Sequence, residues 1–375
     1  MTAVASASSR AGLRSHRLGW ADVARGVAII AVVYFHATLF LEVVGVDRTL
    51  GRAKALLELV PLPAFFLIAG LFSSRLVKEG SFRELTKKRV VPLLYVYVLW
   101  SLFRFAMFAL FPSLPSRATD IAAGDPLSLL LLPVLPASLY WFLYALALST
   151  LLTWILRRAP RWLLGAAAAA ASMLFTSGVV NTGTIAWNRI GTLFVFFVVG
   201  VLFRSEIIRL MTRARHWHAG VAVGIYLAIA LALALARPLL TIPGTVFLGQ
   251  VAGVAALLLV AKSVQDLRAA RTLVRCGRAS LAIYLSHILV IPPLAWLIGL
   301  FSPSWPTVVN ILIAVAVTAV AVAVGLGLAA VAPRIPWLFS PPWTTARRRS
   351  RSVPITSPTQ PAPTSSRRAA SNMRR

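Results

Sequence analysis

Residues Trp20 to His36 read W-A-D-V-A-R-G-V-A-I-I-A-V-V-Y-F-H, an apolar run that carries an aspartate, an arginine and a histidine. A guanidinium binds oxyanions such as phosphate through paired N–H groups, and an uncharged imidazole can take a proton from a hydroxyl near neutral pH. On a helix turning 100° per residue, Arg25 to His36 spans three turns plus about 20°, and Asp22 falls about 40° from the histidine. All three therefore share one face. A rise of 1.5 Å per residue sets His36 roughly 16 Å further along the axis than Arg25. The same residues have a purely architectural use, as an interfacial Asp22–Arg25 ion pair and an interhelical hydrogen bond from His36. Their alignment favours a site, because ionisable groups at such depth normally face a bundle interior or an aqueous cavity.

These residues need a membrane helix to hold them, and the composition supplies one. Of 375 residues, 59% are hydrophobic and only ten are acidic, which no ordinary soluble domain matches. The net charge of +28 is spread between apolar runs instead of forming one basic stripe, so a nucleic-acid partner is excluded. The single cysteine, Cys276, rules out an intramolecular disulfide framework and reads as filler in a loop. No metal is expected: His216 and His218 lie in a basic loop with no carboxylate or thiol nearby. The N-terminal basic residues and apolar run resemble a signal peptide, but the run is long, carries Asp22, Arg25 and His36, and lacks a small-x-small cleavage site. It reads as a retained first span.

A helix crossing about 30 Å of hydrocarbon needs about 20 apolar residues. Ten segments qualify: 20–44, 56–72, 90–111, 137–156, 162–180, 185–203, 219–236, 242–261, 279–300 and 308–331. With the N-terminus inside, 30 of the 38 lysines and arginines fall in inner segments and six in outer loops, while Arg25 and Arg104 lie within spans. That alternation predicts an all-α, polytopic membrane protein of about ten transmembrane helices in one bundle, with both termini cytoplasmic. The expected organisation is a basic cytoplasmic segment over 1–19, a transmembrane domain over 20–335 and a disordered basic tail over 336–375. Residues Leu127 to Pro136 are apolar but too short and proline-broken to cross, which suits an outer-face or re-entrant piece able to roof a cavity. No internal repeat supports an inverted-repeat transporter.

The stretch D-V-A-R-G-V-A-I-I-A-V-V-Y-F-H, Asp22 to His36, resembles the first span of the membrane-bound acyltransferase-3 family, with its arginine, ten residues and then a histidine. P-L-P-A-F-F-L-I-A-G-L-F-S-S-R is similar to the family's second span, with Phe65, Phe66 and Gly70 in place and Ala69 where serine is usual. K-K-R-V-V-P, Lys87 to Pro92, looks like the basic start of the third span, although Thr86 stands where a further arginine is frequent. Y-W-F-L, Tyr140 to Leu143, and S-L-A-I-Y-L-S-H, Ser280 to His287, resemble the opening of the fourth span and a late span.

The resemblance implies an integral membrane O-acyltransferase of the plasma membrane. It would move an acyl group, most often acetyl, from cytoplasmic acyl-coenzyme A to a hydroxyl of a glycan, lipid-linked sugar or other metabolite. Acyl-coenzyme A is a co-substrate, and no permanently bound cofactor is expected. Arg25, Lys87, Lys88 and Arg89 are the cations for its phosphates. His36 is the expected general base, with Arg25 and Asp22 beside it in the catalytic set, and an acyl-histidine route stays open. No G-x-S-x-G, zincin or P-loop motif offers another route. His287 lies at a depth similar to His36 and is either a packing residue or a second site histidine. Arg104 either snorkels outward or lines an acceptor cavity. Tyr140 and Trp141 suit an interfacial aromatic belt, with sugar stacking as the alternative. A transporter using Arg25 as anion site and His36 as proton relay is the rival reading, and the acyl donor separates the two.

Overall fold

The computed structural model describes residues 18–46, 59–116, 123–136, 139–301 and 305–343, and every regular element among them is helical. The helices that build it are α1 (Gly19–Val43), α2 (Pro61–Glu79), α3 (Phe82–Leu110), α4 (Trp141–Ile155), α5 (Arg161–Thr176), α6 (Ile185–Leu202), α7 (Arg204–Arg213), α8 (His216–Leu235), α9 (Thr245–Val264), α10 (Ala270–Arg278), α11 (Ser280–Gly299) and α12 (Thr307–Val331). Eight of them, all but α4, α5, α7 and α10, are long and apolar enough to cross a membrane. The two other expected spans correspond to α4 and α5. At 15 and 16 residues these reach only about 22–24 Å at 1.5 Å per residue.

Helix boundaries follow local chemistry. Pro61 opens α2, where its missing N–H has no partner to lose, and Gly80 closes it in an extended conformation. Ser81 then caps α3 by accepting the Glu84 amide at 3.2 Å. Within α3, residues Thr86–Val90 form a π turn that ends two residues before Pro92. Proline donates no hydrogen bond and crowds the carbonyl four residues back, which breaks the regular ladder at that point.

Helix α1 contributes to both large buried clusters. Trp20 to Ala28 pack with α2, α4, α6 and α9, whereas Ile29 to Leu41 pack with α3, α11 and α12. Two close crossings fix this arrangement. A Cβ at Gly26 would collide with the Leu273 carbonyl, and one at Gly277 with the Asp22 carbonyl, so the backbones of α1 and α10 touch. Gly70 and Gly200 bring α2 and α6 together in the same way.

One expectation changes. The basic segment between α9 and α11 is not a loop throughout, because α10 packs on α1 and buries Cys276. At the start of the 336–375 segment, the Trp337 and Leu338 carbonyls accept hydrogen bonds from Tyr95 Oη at 3.0 Å and Trp100 Nε1 at 2.9 Å. Residues Leu127 to Pro136 form one helical turn and a following loop, pinned by three aromatic donors. Tyr97 Oη reaches the Leu132 carbonyl at 3.2 Å, Tyr144 Oη the Pro133 carbonyl at 3.0 Å, and Trp187 Nε1 the Val134 carbonyl at 2.9 Å. Arg10, Arg14, Arg17, Arg48, Arg52, Lys54, Arg117 and the tail beyond Trp343 lie outside the described residues.

Candidate active site

A cavity of about 620 Å³ runs along the inward face of α1 between α2, α3, α4 and α11. Asp22, Arg25, Ile29 and Val32 supply its α1 wall, spaced three or four residues apart as one helical face requires. One end is cationic. Arg25, Arg89 and Arg278 all line it. Asp22 holds two of these in place, Arg278 through Nε at 3.1 Å and Arg25 at 3.8 Å. Arg25 also donates through Nη2 to Ser280 Oγ at 2.8 Å. Three guanidinium groups meet one lining carboxylate, Asp22, which pairs with two of them, and this leaves positive charge for an anionic ligand. The Nε of Arg89 is buried and has no hydrogen-bond partner.

The other end of the cavity closes on Phe142, Leu143 and Tyr284. His36 is the next residue on the α1 face after Val32, and His287 stands one turn beyond Tyr284 on α11. Their rings meet with centroids 4.9 Å apart and planes inclined at 63°. His36 Nδ1 lies 2.9 Å from the Val32 carbonyl, and His287 Nδ1 lies 3.2 Å from the Ile283 carbonyl. A carbonyl only accepts, so each Nδ1 carries a proton in the neutral ring, and each Nε2 keeps its lone pair. His287 is fully buried and its Nε2 has no partner, whereas His36 retains some accessible surface.

Two tyrosines brace this pair. Tyr140 Oη donates to the Leu285 carbonyl at 2.8 Å, and Tyr284 Oη to the Leu139 carbonyl at 3.0 Å, which ties the start of α4 to the turn of α11 that carries His287. Tyr140 is completely buried, so it is no interfacial belt residue; Trp141 beside it is half-buried.

The structure thus gathers Asp22, Arg25, Arg89, His36, His287 and Tyr140 along one path. It does not bring Lys87 and Lys88 there: both are exposed, and Lys88 pairs with Glu84 one turn earlier on α3. Arg104 lines neither the 620 Å³ cavity nor the solvent. It is 7% exposed, its guanidinium lies 5.3 Å from the Phe108 ring centroid, and its Nε has no partner, so it does not snorkel. Sequence reasoning missed Arg278 and Ser280. Arg278 was counted with the topogenic charges of a basic segment, yet its place two residues before the S-L-A-I-Y-L-S-H motif was a usable signal.

A family model of acyltransferase domains matches residues 18–330, from the start of α1 to the end of α12. The chain belongs to the acyltransferase-3 family. With eight helices among the described residues long and apolar enough to cross a membrane, it is a multi-pass membrane acyltransferase. Neither curated proteins nor solved structures give a match to it. The acyltransferase match includes every residue of the cationic mouth and both histidines.

Proposed function

We propose that the protein is a plasma-membrane O-acyltransferase that takes an acyl group, acetyl in the first instance, from cytoplasmic acyl-coenzyme A and passes it to a hydroxyl of a glycan or other metabolite. The observation that carries this reading is one cavity with Arg25, Arg89 and Arg278 at one end and the His36–His287 pair just beyond the other. In this reading both termini are cytoplasmic, ten helices form one bundle, and the arginine mouth opens to the cytoplasm. The distribution of 30 of the 38 basic residues supports that orientation.

The donor phosphates bind Arg25, Arg89 and Arg278, and the pantetheine arm extends along α1. The distance from Arg25 to His36, roughly 16 Å at 1.5 Å per residue, is spanned by the apolar residues Ile29 and Val32. The arm lies against that wall. Asp22 is a positioning residue, fixing Arg25 and Arg278 about 21 Å along the helix from His36. At the far end the acceptor oxygen bonds to the thioester carbon while its proton passes to Nε2 of His36. The C–S bond then breaks, and the proton passes on to the coenzyme A sulfur, giving an ester and a free thiol. Arg25 and Ser280 orient the donor and touch no reacting atom. Because Nδ1 is held by a backbone carbonyl, the same Nε2 is the atom an acyl-histidine route would use.

Release of free coenzyme A thiol from acetyl-, propionyl- and succinyl-coenzyme A by membranes carrying the protein, with and without an acceptor extract, tests the reading. Acceptor-dependent release lost in His36→Ala supports it. Absence of release and of saturable donor binding refutes it.

A further inference from the structure

Among the described residues, none fills the lone pair on Nε2 of His287. The side chain is completely buried, and this nitrogen has no hydrogen-bond partner. The ring cannot offer a proton there, because its proton sits on Nδ1 and is given to the Ile283 carbonyl at 3.2 Å. The hydroxyls of the neighbourhood are committed elsewhere. Tyr140 Oη donates to the Leu285 carbonyl at 2.8 Å, Tyr284 Oη to the Leu139 carbonyl at 3.0 Å, and Ser286 Oγ to the Ile283 carbonyl at 3.5 Å. A buried acceptor left without a donor is costly, so a donor arriving with a ligand would be held firmly.

His36 presents the same chemistry beside it, with ring centroids 4.9 Å apart. In each ring Nδ1 turns back to a carbonyl one turn earlier on its own helix, so Nε2 is the tip directed away from that helix. The pair therefore offers two lone pairs, one from α1 and one from α11, and no proton of its own to place between them. Its complement is a ligand bearing two protons on neighbouring atoms. A single hydroxyl carries one and serves only one ring. His36, unlike His287, keeps some accessible surface, so a ligand meets the pair at His36 first. Tyr284 lines the donor cavity and its ring centroid lies 5.7 Å from that of His287, which sets the pair at the far end of the donor path.

We propose that His287 selects the acyl acceptor, and that the acceptor is a vicinal diol: the hydroxyl to be acylated donates to His36 Nε2, and the hydroxyl on the adjacent carbon donates to His287 Nε2. The inference rests on the transferase reading above and adds the acceptor class, paired hydroxyls of the kind sugars and polyols carry. His287 binds the acceptor and takes no proton; the acylation step at His36 is unchanged. An acceptor with an isolated hydroxyl satisfies His36 and leaves the buried nitrogen of His287 without a donor. A site built to bond a hydroxyl discriminates strongly against the analogue that lacks it for this reason.

The test measures acceptor-dependent thiol release from acetyl-coenzyme A by membranes bearing the wild type, His287→Leu or His287→Gln. The acceptor is an envelope extract of the native cells, either mock-treated or oxidised with periodate and then reduced with borohydride. That treatment cleaves the bond between adjacent hydroxyl-bearing carbons and leaves isolated alcohols. The wild type is expected to release thiol at least about tenfold more slowly with the oxidised extract. With mock-treated extract His287→Leu should fall about tenfold, while His287→Gln, whose Oε1 restores an acceptor, retains most of the rate. Unchanged saturable binding of acetyl-coenzyme A in His287→Leu would separate the loss from misfolding. The extract comparison needs only the wild type, so it decides the matter even if a variant fails to accumulate. Equal release with both extracts, a His287→Leu rate equal to wild type, or a His287→Gln rate as low as His287→Leu overturns the inference and leaves the transferase intact. No thiol release by the wild type with either extract overturns both.

Discussion

Helices α1 and α8 have almost the same mean hydropathy, 2.0 and 2.1, yet 56% of the apolar window is buried in α1 and 17% in α8. Hydropathy reports only that a segment prefers lipid to water. What separates the two is the pattern of exceptions. α1 carries Asp22, Arg25 and His36 on one face, whereas α8 beyond its first turn carries no ionisable residue except Tyr226. A helix with a polar face has to find protein to cover it, and α1 accordingly touches both buried clusters. α8 offers mostly leucine, alanine and isoleucine to its surroundings, with Leu227, Leu231 and Leu235 all exposed.

The contrast is most exposed to failure at its glycines. Gly277→Val puts a side chain into the Asp22 carbonyl and should prevent accumulation of folded protein, while Gly224→Val in α8 meets nothing within 4 Å and should accumulate like the wild type. Detergent-solubilised yield by fluorescence-detected gel filtration compares them; equal yields would mean that α1 and α10 do not cross as described. Next comes chemistry. His36→Ala should cut acceptor-dependent thiol release by about a hundred- to ten-thousand-fold, the usual contribution of a general base, with donor binding retained. Leu231→Ala in α8 is the matched control and should leave the rate within twofold or so. A smaller effect is expected at the mouth. Arg25→Gln and Arg89→Gln should each raise the donor KM about ten- to a hundredfold, as loss of a hydrogen bond between charged groups does. Lys87→Gln, two residues from Arg89 and exposed, should change the same KM by less than about twofold. A Lys87 effect equal to that of Arg89 would show that the donor enters along the outside of α3.

The reach of sequence reasoning followed the regularity of the backbone. Asp22, Arg25 and His36 were legible because α1 is an uninterrupted helix, so residue spacing translates directly into direction. The likeness in depth of His287 and His36 was legible for the same reason, but their ring contact was not, since it depends on how α1 and α11 pack. Eight of ten expected spans are helices of sufficient length; α4 and α5 are shorter because each is bounded by proline-containing or turn segments. Arg278 resembles the other loop and interface arginines in sequence, and only the cavity distinguishes it. Tyr140 was misplaced at an interface because the residues preceding α4 dive against α11, an event with no local signature.

The π turn at Thr86–Val90 illustrates how little separates a ligand-facing cation from a lipid-facing one. Neighbouring helical residues point about 100° apart, so the single additional residue that a π turn accommodates is enough to choose among Lys87, Lys88 and Arg89. Shortening the turn by one residue would change no charge in this basic run and yet alter which side chain faces the cavity. Donor preference in such a protein is thereby open to revision by insertion or deletion, with no substitution anywhere in the wall of the cavity.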